Sequence, residues 1–394
     1  MATYTPVQLS ISTKSHGADA APGLGLTPPV TPTIDDRAGS PSTTLPPVAD
    51  VCCGNKAVAV SSPPQFFDQL EYQLDEEGRR ITFGNGAWSV VYKAFALSCT
   101  SNPTRPFTPP SSPNPAGRLV AVKSPGRRDA RPVMYAEALA LTRASSTPGS
   151  EHYIVPFHGY IAESSSIVMS AVPLALSSYI EDKARIAQQN FSIQTMHEPV
   201  LGMAQWHDLA KKLIKSLSWL HSNAQIVHGD IKPHNILLRP RISLDNDINS
   251  AEFPYEPLFA DFSSSYSITA SGTEIPPNAC LSAVTTPFTA PELLKALRSP
   301  DVIPEPASDV FSLAVTLLGA ATGDILVYSG LHPTLRIQCA KDGHLIIDWA
   351  RQCGTNGTRL PPNGLVEKIV KPAVAKVPAE RITAHAWMDI AGTV

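Results

Sequence analysis

An eleven-residue segment, His228–Leu238, places three polar side chains in an order that suits group transfer to a hydroxyl. Asp230 can accept the proton of a hydroxyl nucleophile. Lys232 can neutralise the charge of a transferring phosphoryl group, and Asn235 can supply a metal ligand. An apolar run begins at Ile236. The segment is therefore predicted to be a loop that leads into a strand.

This segment resembles the catalytic loop of eukaryotic protein kinases, and specifically that of their Ser/Thr branch. That branch has a lysine two residues after the catalytic aspartate, as Lys232 follows Asp230 here. The resemblance implies that Asp230 and Lys232 are catalytic and that Asn235 binds a metal ion. It also implies ATP and Mg²⁺ as cofactors and a protein with a Ser/Thr acceptor as the substrate.

Two upstream segments extend the resemblance. The segment Gly84–Val91 is similar to the glycine-rich loop of the family, in which glycines let the backbone approach the ATP phosphates. By this match Gly84, Asn85 and Gly86 bind the nucleotide. The sequence Val-Ala-Val-Lys ending at Lys123 resembles the Val-Ala-Ile-Lys motif.

The same resemblance assigns partners to this lysine and residues to an adenine pocket. Lys123 is expected to hold the α- and β-phosphates, and Glu137, on the next helix, is expected to pair with Lys123 and to orient it. The adenine is expected to lie among apolar side chains from both halves of the chain: Val91, Ala121, Met169 and Leu237.

Downstream, Asp261-Phe262-Ser263 stands where the family has Asp-Phe-Gly, so Asp261 is expected to bind Mg²⁺ with Asn235. The segment Thr285–Glu292 resembles the end of the activation segment. The resemblance implies that Thr285 lies near the catalytic aspartate and lysine.

The resemblance also implies two structural contacts in the second half of the chain. Glu292 is expected to form a buried ion pair with Arg381. Asp309, in a nearly all-apolar segment, is expected to anchor the backbone of the catalytic loop.

Three positions depart from the family pattern. Ser89 replaces the third glycine of the glycine-rich loop, and Ser263 replaces the glycine after Asp-Phe. Gly229 replaces the arginine that normally pairs with a phosphorylated activation segment. We therefore expect activity that does not depend on activation-segment phosphorylation through this arginine. Phosphatase treatment that abolished activity, with the loss mapped to 264–289, would contradict this.

Composition excludes several other classes of protein. The net charge of −3 provides no basic field for nucleic acid. The apolar runs fall short of the roughly 18–20 residues that a membrane span needs. Six cysteines without metal-ligand spacing predict neither a disulfide framework nor a zinc site. The absence of a secretory pattern in Met1–Ser15 leads us to expect a cytoplasmic or nuclear location.

The patterning predicts a strand-rich smaller half followed by a helix-rich larger half, and the resemblance implies that these form an α+β, bilobal, protein kinase-like fold. Residues 1–65, rich in Pro, Ser and Thr, are predicted to be a disordered tail to which regulatory partners can bind. Residues 66–394 are the predicted kinase domain. Its small, β-rich lobe with one helix covers 66–171, including a proline-rich loop over 99–118, and its larger helical lobe covers 172–394.

Individual elements are predicted from local patterns. Strands are expected over Tyr153–Phe157 and Ile167–Ala171, and helices over Val133–Arg143, Gln205–Ser222 and Asp309–Ala321. A surface loop is expected over 239–256, because 26 residues separate Asn235 from Asp261.

Two alternatives to an active Ser/Thr protein kinase stay open. The departures at Ser89, Gly229 and Ser263 also fit a pseudokinase that acts as a nucleotide-binding scaffold. The sequence His228-Gly229-Asp230 also resembles the loop of aminoglycoside and choline phosphotransferases, although those enzymes lack the Ala-Pro-Glu segment seen here.

Overall fold

The structure, a computed structural model, describes residues 62–97, 117–241, 252–268, 284–296 and 303–393. The predicted disordered tail falls almost wholly on residues 1–61, and the proline-rich loop falls mainly on 98–116, so both lie outside the described residues. Residues 62–65, also assigned to the tail, are described. There the carbonyl of Pro64 accepts a 2.8 Å hydrogen bond from the N–H of Tyr160.

The first half of the described chain forms an antiparallel sheet of six strands, in the order β1-β3-β4-β6-β5, with β2 also paired to β3. The strands are β1 Gln69–Tyr72, β2 Thr82–Asn85, β3 Ser89–Leu97, β4 Arg118–Pro125, β5 Phe157–Ile161 and β6 Ser166–Ser170.

Alternation along β4 gives the sheet two different faces. Val120 and Val122 are fully buried in a small apolar cluster on one face. Successive side chains of a strand point to opposite sides, so Ala121 and Lys123 lie on the other face. Ala121 belongs to the main core. This alternation places Lys123 on the face that looks toward the rest of the molecule.

A single long helix, α1 Arg131–Ser145, packs against this face, with Pro132 in its first turn. Its buried side chains include Met134, Glu137 and Leu141. Glu137 is one turn from its apolar neighbours and is only 1% exposed. A carboxylate this deeply buried needs a charged partner.

The remainder of the described chain is mainly helical. Its helices are α2 Leu176–Gln189, α3 Met203–Ser222, α4 Pro291–Lys295, α5 Pro306–Thr322, α6 Pro333–Lys341, α7 Ile346–Cys353, α8 Leu365–Val370 and α9 Ala384–Thr393. Two small antiparallel pairs join β8 Ile236–Pro240 to β9 Tyr255–Phe259 and β7 Ile226–Val227 to β10 Tyr266–Ser267. A β-rich half followed by a helical half confirms the predicted fold class.

Helix α5 is the centre of the helical half. Every residue from Ser308 to Thr322 is buried, as its nearly all-apolar sequence predicts. The helix ends at Gly323, which has a left-handed φ of 74°. Its N-terminus has a capping box between Glu305 and Ser308.

The prediction of a strand over Tyr153–Phe157 was wrong. The strand β5 begins at Phe157, because Pro156 has no N–H to donate to a sheet. Val155 instead donates its N–H to the carbonyl of Phe259 at 3.0 Å, and Phe259 donates to Tyr153 at 2.9 Å. These residues therefore join the sheet half to the helical half.

The predicted surface loop over 239–256 is shorter than expected. Strand β8 continues to Pro240 and β9 starts at Tyr255, with Arg239 opposite Glu256 and ion-paired to it. Residues 242–251 lie outside the described residues.

Among the described residues, the structure has no helix long and apolar enough to cross a membrane.

Candidate active site

Three charged side chains meet where the sheet half contacts the helical half. Lys123 Nζ donates to both oxygens of Glu137, at 2.7 and 2.8 Å, and to Asp261 Oδ1 at 2.8 Å. Strand β4, helix α1 and the segment after β9 each supply one member. The structure thus contains the predicted pairing of Lys123 with Glu137, and it brings Asp261 to the same ammonium.

The surroundings fix the charges of this cluster. Burial opposes the charge of Lys123, but Asp261 and Glu137 outweigh it and raise the lysine pKa. Burial raises the pKa of Glu137, although the charge of Lys123 acts against this. Burial also acts to raise the pKa of Asp261, but the charge of Lys123 outweighs it and holds this pKa well below its usual value. Lys123 therefore carries its charge at neutral pH.

A second polar cluster lies in the loop between β7 and β8. Asp230 Oδ2 accepts hydrogen bonds from Lys232 Nζ at 2.7 Å and from Asn235 Nδ2 at 2.9 Å. Asn235 Nδ2 also donates to the carbonyl of Asp230. Lys232 donates a third bond, to Thr285 Oγ1 at 3.1 Å, and this hydroxyl lies 3.4 Å from Asp230 Oδ1. The predicted proximity of Thr285 to Asp230 and Lys232 is confirmed.

Asp230 is suited to accept a proton. Its side chain is 10% exposed. Burial raises its pKa above the ordinary value of 3.8, the nearby charge of Lys232 lowers it, and the neighbouring charge of Asp261 raises it. A carboxylate that is buried, oriented by two donors and more basic than usual can accept the proton of a hydroxyl.

Helix α5 holds the backbone of this loop. Asp309, 1% exposed, accepts the N–H of His228 on Oδ2 at 2.7 Å and the N–H of Gly229 on Oδ1 at 2.9 Å. His221 Nε2 lies 3.0 Å from the same Oδ2. The predicted anchoring by Asp309 is therefore confirmed, and His221 is an additional contact that the sequence did not indicate.

The glycine-rich segment spans the turn between β2 and β3. Gly86 donates its N–H to the carbonyl of Ser89 at 2.7 Å. A Cβ placed on Gly84 would meet no protein atom within 4 Å. Protein packing therefore does not require glycine at that position. Trp88, at the tip, stacks its ring on the guanidinium of Arg127, whose carbon lies 4.0 Å from the ring centroid.

The four residues predicted to enclose an adenine share one apolar cluster. Ala121 and Met169 are buried and are partners across β4 and β6. Val91 and Leu237 are partly buried and pack against the same core. Strands from the sheet half and β8 from the helical half thus contribute side chains to one apolar lining.

Gly229 brings two segments unusually close together. Its φ is 78°, in the left-handed region, and a Cβ there would lie 2.5 Å from the carbonyl oxygen of Ser264. The adjoining backbone pairs Val227 with Tyr266 in the β7–β10 ladder. A side chain at position 229 is therefore excluded unless the segment after Asp261 moves.

The end of the activation segment is held by the predicted ion pair. Arg381 donates from Nη1 and Nη2 to the two oxygens of Glu292, at 2.8 and 2.7 Å. The arginine side chain is fully buried. Burial acts to raise the pKa of Glu292, but the bonds from Arg381 outweigh it and lower this pKa. Ser308 Oγ also donates to Glu292, a contact that the sequence did not indicate.

The donor set fits Mg²⁺ bound together with a nucleotide. Mg²⁺ usually takes one or two protein oxygens and completes its shell with phosphates and water. The hydrogen bonds of these two side chains to described residues use Asp261 Oδ1 and Asn235 Nδ2. Asp261 Oδ2 and Asn235 Oδ1 therefore keep their capacity to bind a cation. No cluster of three or more His, Cys, Asp or Glu residues suited to a metal occurs in the described part of the chain.

Ser263 is a residue of the site whose contact the sequence reasoning missed. Its Oγ donates to Asp261 Oδ1 at 2.7 Å. A serine two residues after an aspartate can form such a local bond, so the spacing was a usable signal.

Comparison with known proteins agrees with this geometry. The family model described as the protein kinase domain matches residues 114–390, more than two thirds of the chain. The chain belongs to the protein kinase family. The match begins after the glycine-rich segment, so the assignment of the kinase family does not depend on Gly84–Val91.

Individual relatives of this chain are distant. Serine/threonine-protein kinase ISR1 of Eremothecium gossypii is 26% identical over 136 residues, which are 34% of this chain and 38% of that protein. Mitogen-activated protein kinase kinase kinase 5 of Homo sapiens is 28% identical over 173 residues, 43% of this chain and 10% of that protein.

A third relative, the probable serine/threonine-protein kinase samkB of Dictyostelium discoideum, is 31% identical over 143 residues, 36% of this chain and 21% of that protein. The chain thus spans less than two fifths of the length of each of these relatives.

Proposed function

We propose that the protein is an active serine/threonine protein kinase that transfers the γ-phosphate of ATP to hydroxyl groups of protein substrates. The observation that carries this proposal is the meeting of two complete polar clusters. The first is Lys123 with Glu137 and Asp261, and the second centres on Asp230 and Lys232. Asn235, which donates to Asp230, accepts on its backbone carbonyl the N–H of Ala260, the residue before Asp261, at 2.9 Å, so the clusters are neighbours.

The nucleotide is held by residues of both halves. Val91, Ala121, Met169 and Leu237 form the apolar lining for the adenine. The backbone of Gly84, Asn85 and Gly86 and the ammonium of Lys123 face the phosphates in this proposal. Glu137 fixes the position of that ammonium through two hydrogen bonds.

Asp261 and Asn235 would hold Mg²⁺ together with the nucleotide, and the ion would supply neutralisation of the phosphate charge. Asp230 orients the acceptor hydroxyl and accepts its proton. Lys232, bonded to Asp230 Oδ2, lies where it can stabilise the charge of the moving phosphoryl group. No chemical step lacks a residue that can perform it.

Two observations favour a Ser/Thr acceptor. Lys232 contacts Thr285 at 3.1 Å, so the lysine and threonine characteristic of that branch lie together beside Asp230. The relatives ISR1 and samkB are named as a serine/threonine-protein kinase and a probable serine/threonine-protein kinase.

The test is a radiolabelled-ATP assay with Mg²⁺ and a generic protein substrate, comparing wild type with Asp230→Asn. Asparagine keeps the shape of the side chain but cannot accept the proton. The rate is expected to fall about 10²–10⁴-fold, the range for loss of a general base. Asp389→Asn, at an exposed position on α9, is the matched control and should leave the rate unchanged.

The alternatives give different results. If wild type transfers no phosphate but binds Mg·ATP in a thermal-shift titration, the scaffold interpretation replaces this proposal. If wild type phosphorylates choline or an aminoglycoside and no protein, the small-molecule phosphotransferase interpretation replaces it. Phosphate on serine or threonine from wild type, lost in Asp230→Asn, supports the kinase.

A further inference from the structure

Asp261 has an unusual backbone conformation and a heavily bonded side chain. Its φ is 61°, in the left-handed region that few residues other than glycine adopt. Its Oδ1 accepts from Ser263 Oγ at 2.7 Å, from Lys123 Nζ at 2.8 Å and from the N–H of Ser263 at 3.4 Å. All three hydrogen bonds are therefore accepted by the same carboxylate oxygen.

The other oxygen faces a different environment. Among the described residues, none donates a hydrogen bond to Asp261 Oδ2. The side chain is 39% exposed, whereas its partner Lys123 is 5% exposed. The carboxylate is thus oriented with Oδ1 toward the donors of Lys123 and Ser263, which leaves Oδ2 as the oxygen with free acceptor capacity.

The backbone of the turn is held by contacts that do not involve the hydroxyl of Ser263. Phe262 donates its N–H to Glu137 Oε1 at 3.2 Å. Ser265 donates to the carbonyl of Phe262 from its N–H at 3.1 Å and from its Oγ at 2.7 Å. The hydroxyl of Ser263 is therefore left to act on the side chain of Asp261.

We propose that Ser263 is a positioning residue whose hydroxyl holds the carboxylate of Asp261 with Oδ2 presented to the nucleotide-bound divalent cation. The inference rests on the proposed function, because that function supplies the cation. A glycine at position 263 has no atom that can make this bond. The substitution therefore adds an outer-sphere partner to a metal ligand, rather than only restricting the backbone.

The experiment measures how nucleotide affinity depends on Mg²⁺, using a fluorescent ATP analogue and full-length protein. Ser263→Ala removes the hydroxyl and is expected to raise the Mg²⁺ concentration for half-maximal binding by about tenfold, since loss of an outer-sphere partner weakens metal affinity 10–100-fold. Affinity in EDTA should not change. Ser263→Thr keeps the hydroxyl and should restore the wild-type Mg²⁺ dependence.

Ser265→Ala is the matched control, because it removes a hydroxyl from the same turn that does not contact Asp261. An equal shift in Ser265→Ala, or no shift in Ser263→Ala, would overturn the inference while leaving the kinase proposal intact. A wild type whose nucleotide affinity ignores Mg²⁺ would overturn both. Paramagnetic resonance of Mn²⁺ in the ternary complex gives a second readout, and it should show weaker Mn²⁺ binding only in Ser263→Ala.

Discussion

Replacing Gly229 with alanine separates two physical reasons for a glycine beside the catalytic aspartate. The first is the backbone, because a left-handed φ of 78° costs a residue with a Cβ about 1–2 kcal/mol. The second is space, because the new Cβ would lie 2.5 Å from the carbonyl oxygen of Ser264. Forcing apart a packed contact of this kind costs about 1–3 kcal/mol. Together they predict a destabilisation of about 2–5 kcal/mol.

Gly78 provides the control for the backbone contribution alone. Its φ is 75°, and a Cβ there meets nothing within 4 Å. Gly78→Ala should therefore cost only about 1–2 kcal/mol. Urea unfolding followed by tryptophan fluorescence gives both free energies of unfolding, and the difference between the variants isolates the contact with Ser264.

Equal destabilisation by Gly229→Ala and Gly78→Ala would refute the reasoning, because the close approach to Ser264 would then have no energetic consequence. The same logic applies to Gly229→Arg, which restores the residue usual in the family. We expect this variant to be destabilised and to lose activity rather than to gain control by phosphorylation. Kinase assays before and after phosphatase treatment of both forms check this.

Two further predictions concern charge. Glu292→Gln leaves the charge of Arg381 buried without a partner, so it should lower the free energy of unfolding by about 3 kcal/mol. Glu256→Gln breaks the partly exposed pair with Arg239 and should lower it by less than about 1 kcal/mol. The pKa of Glu292 in the folded protein is below the ordinary 4.5. The difference in free energy of unfolding between wild type and Glu292→Gln should therefore shrink as the pH falls through that folded-state pKa. Urea unfolding at several pH values measures this difference, and a constant difference contradicts the prediction. Burial raises the pKa of Asp230 above 3.8, and the charge of Lys232 lowers it. Lys232→Met removes that charge, so the acidic limb of the pH profile of kcat/KM should move to higher pH. A limb that stays in place or moves to lower pH would show that it does not report the ionisation of Asp230.

Sequence patterns predicted the features that depend on chain order and periodicity. The stripe of Leu209, Leu213 and Leu217 predicted α3 to within two residues at its start. The apolar run after Asp309 predicted the buried α5. These predictions succeeded because a helix buries a face set by local spacing, whatever its neighbours are.

The features that the sequence did not predict correctly depend on partners that are distant in the chain. Val155 looks like part of a strand in sequence, yet it bonds Phe259, about 100 residues away. The ladder of β8 with β9 extends into the range of the expected loop, where Arg239 lies opposite Glu256 and is ion-paired to it. The orientation of the Asp261 carboxylate likewise follows from Lys123 and Ser263 acting together, which no single motif specifies.

The anchoring of the catalytic loop by Asp309 has a consequence for how the protein loses activity on heating. The amides of His228 and Gly229 are bonded to a carboxylate that belongs to the most deeply buried helix. Exchange of these two amide hydrogens with solvent therefore requires α5 itself to unfold, and they should be among the slowest to exchange. The catalytic loop and the hydrophobic core should then unfold as one cooperative unit, so loss of activity and thermal unfolding of the protein should occur at the same temperature.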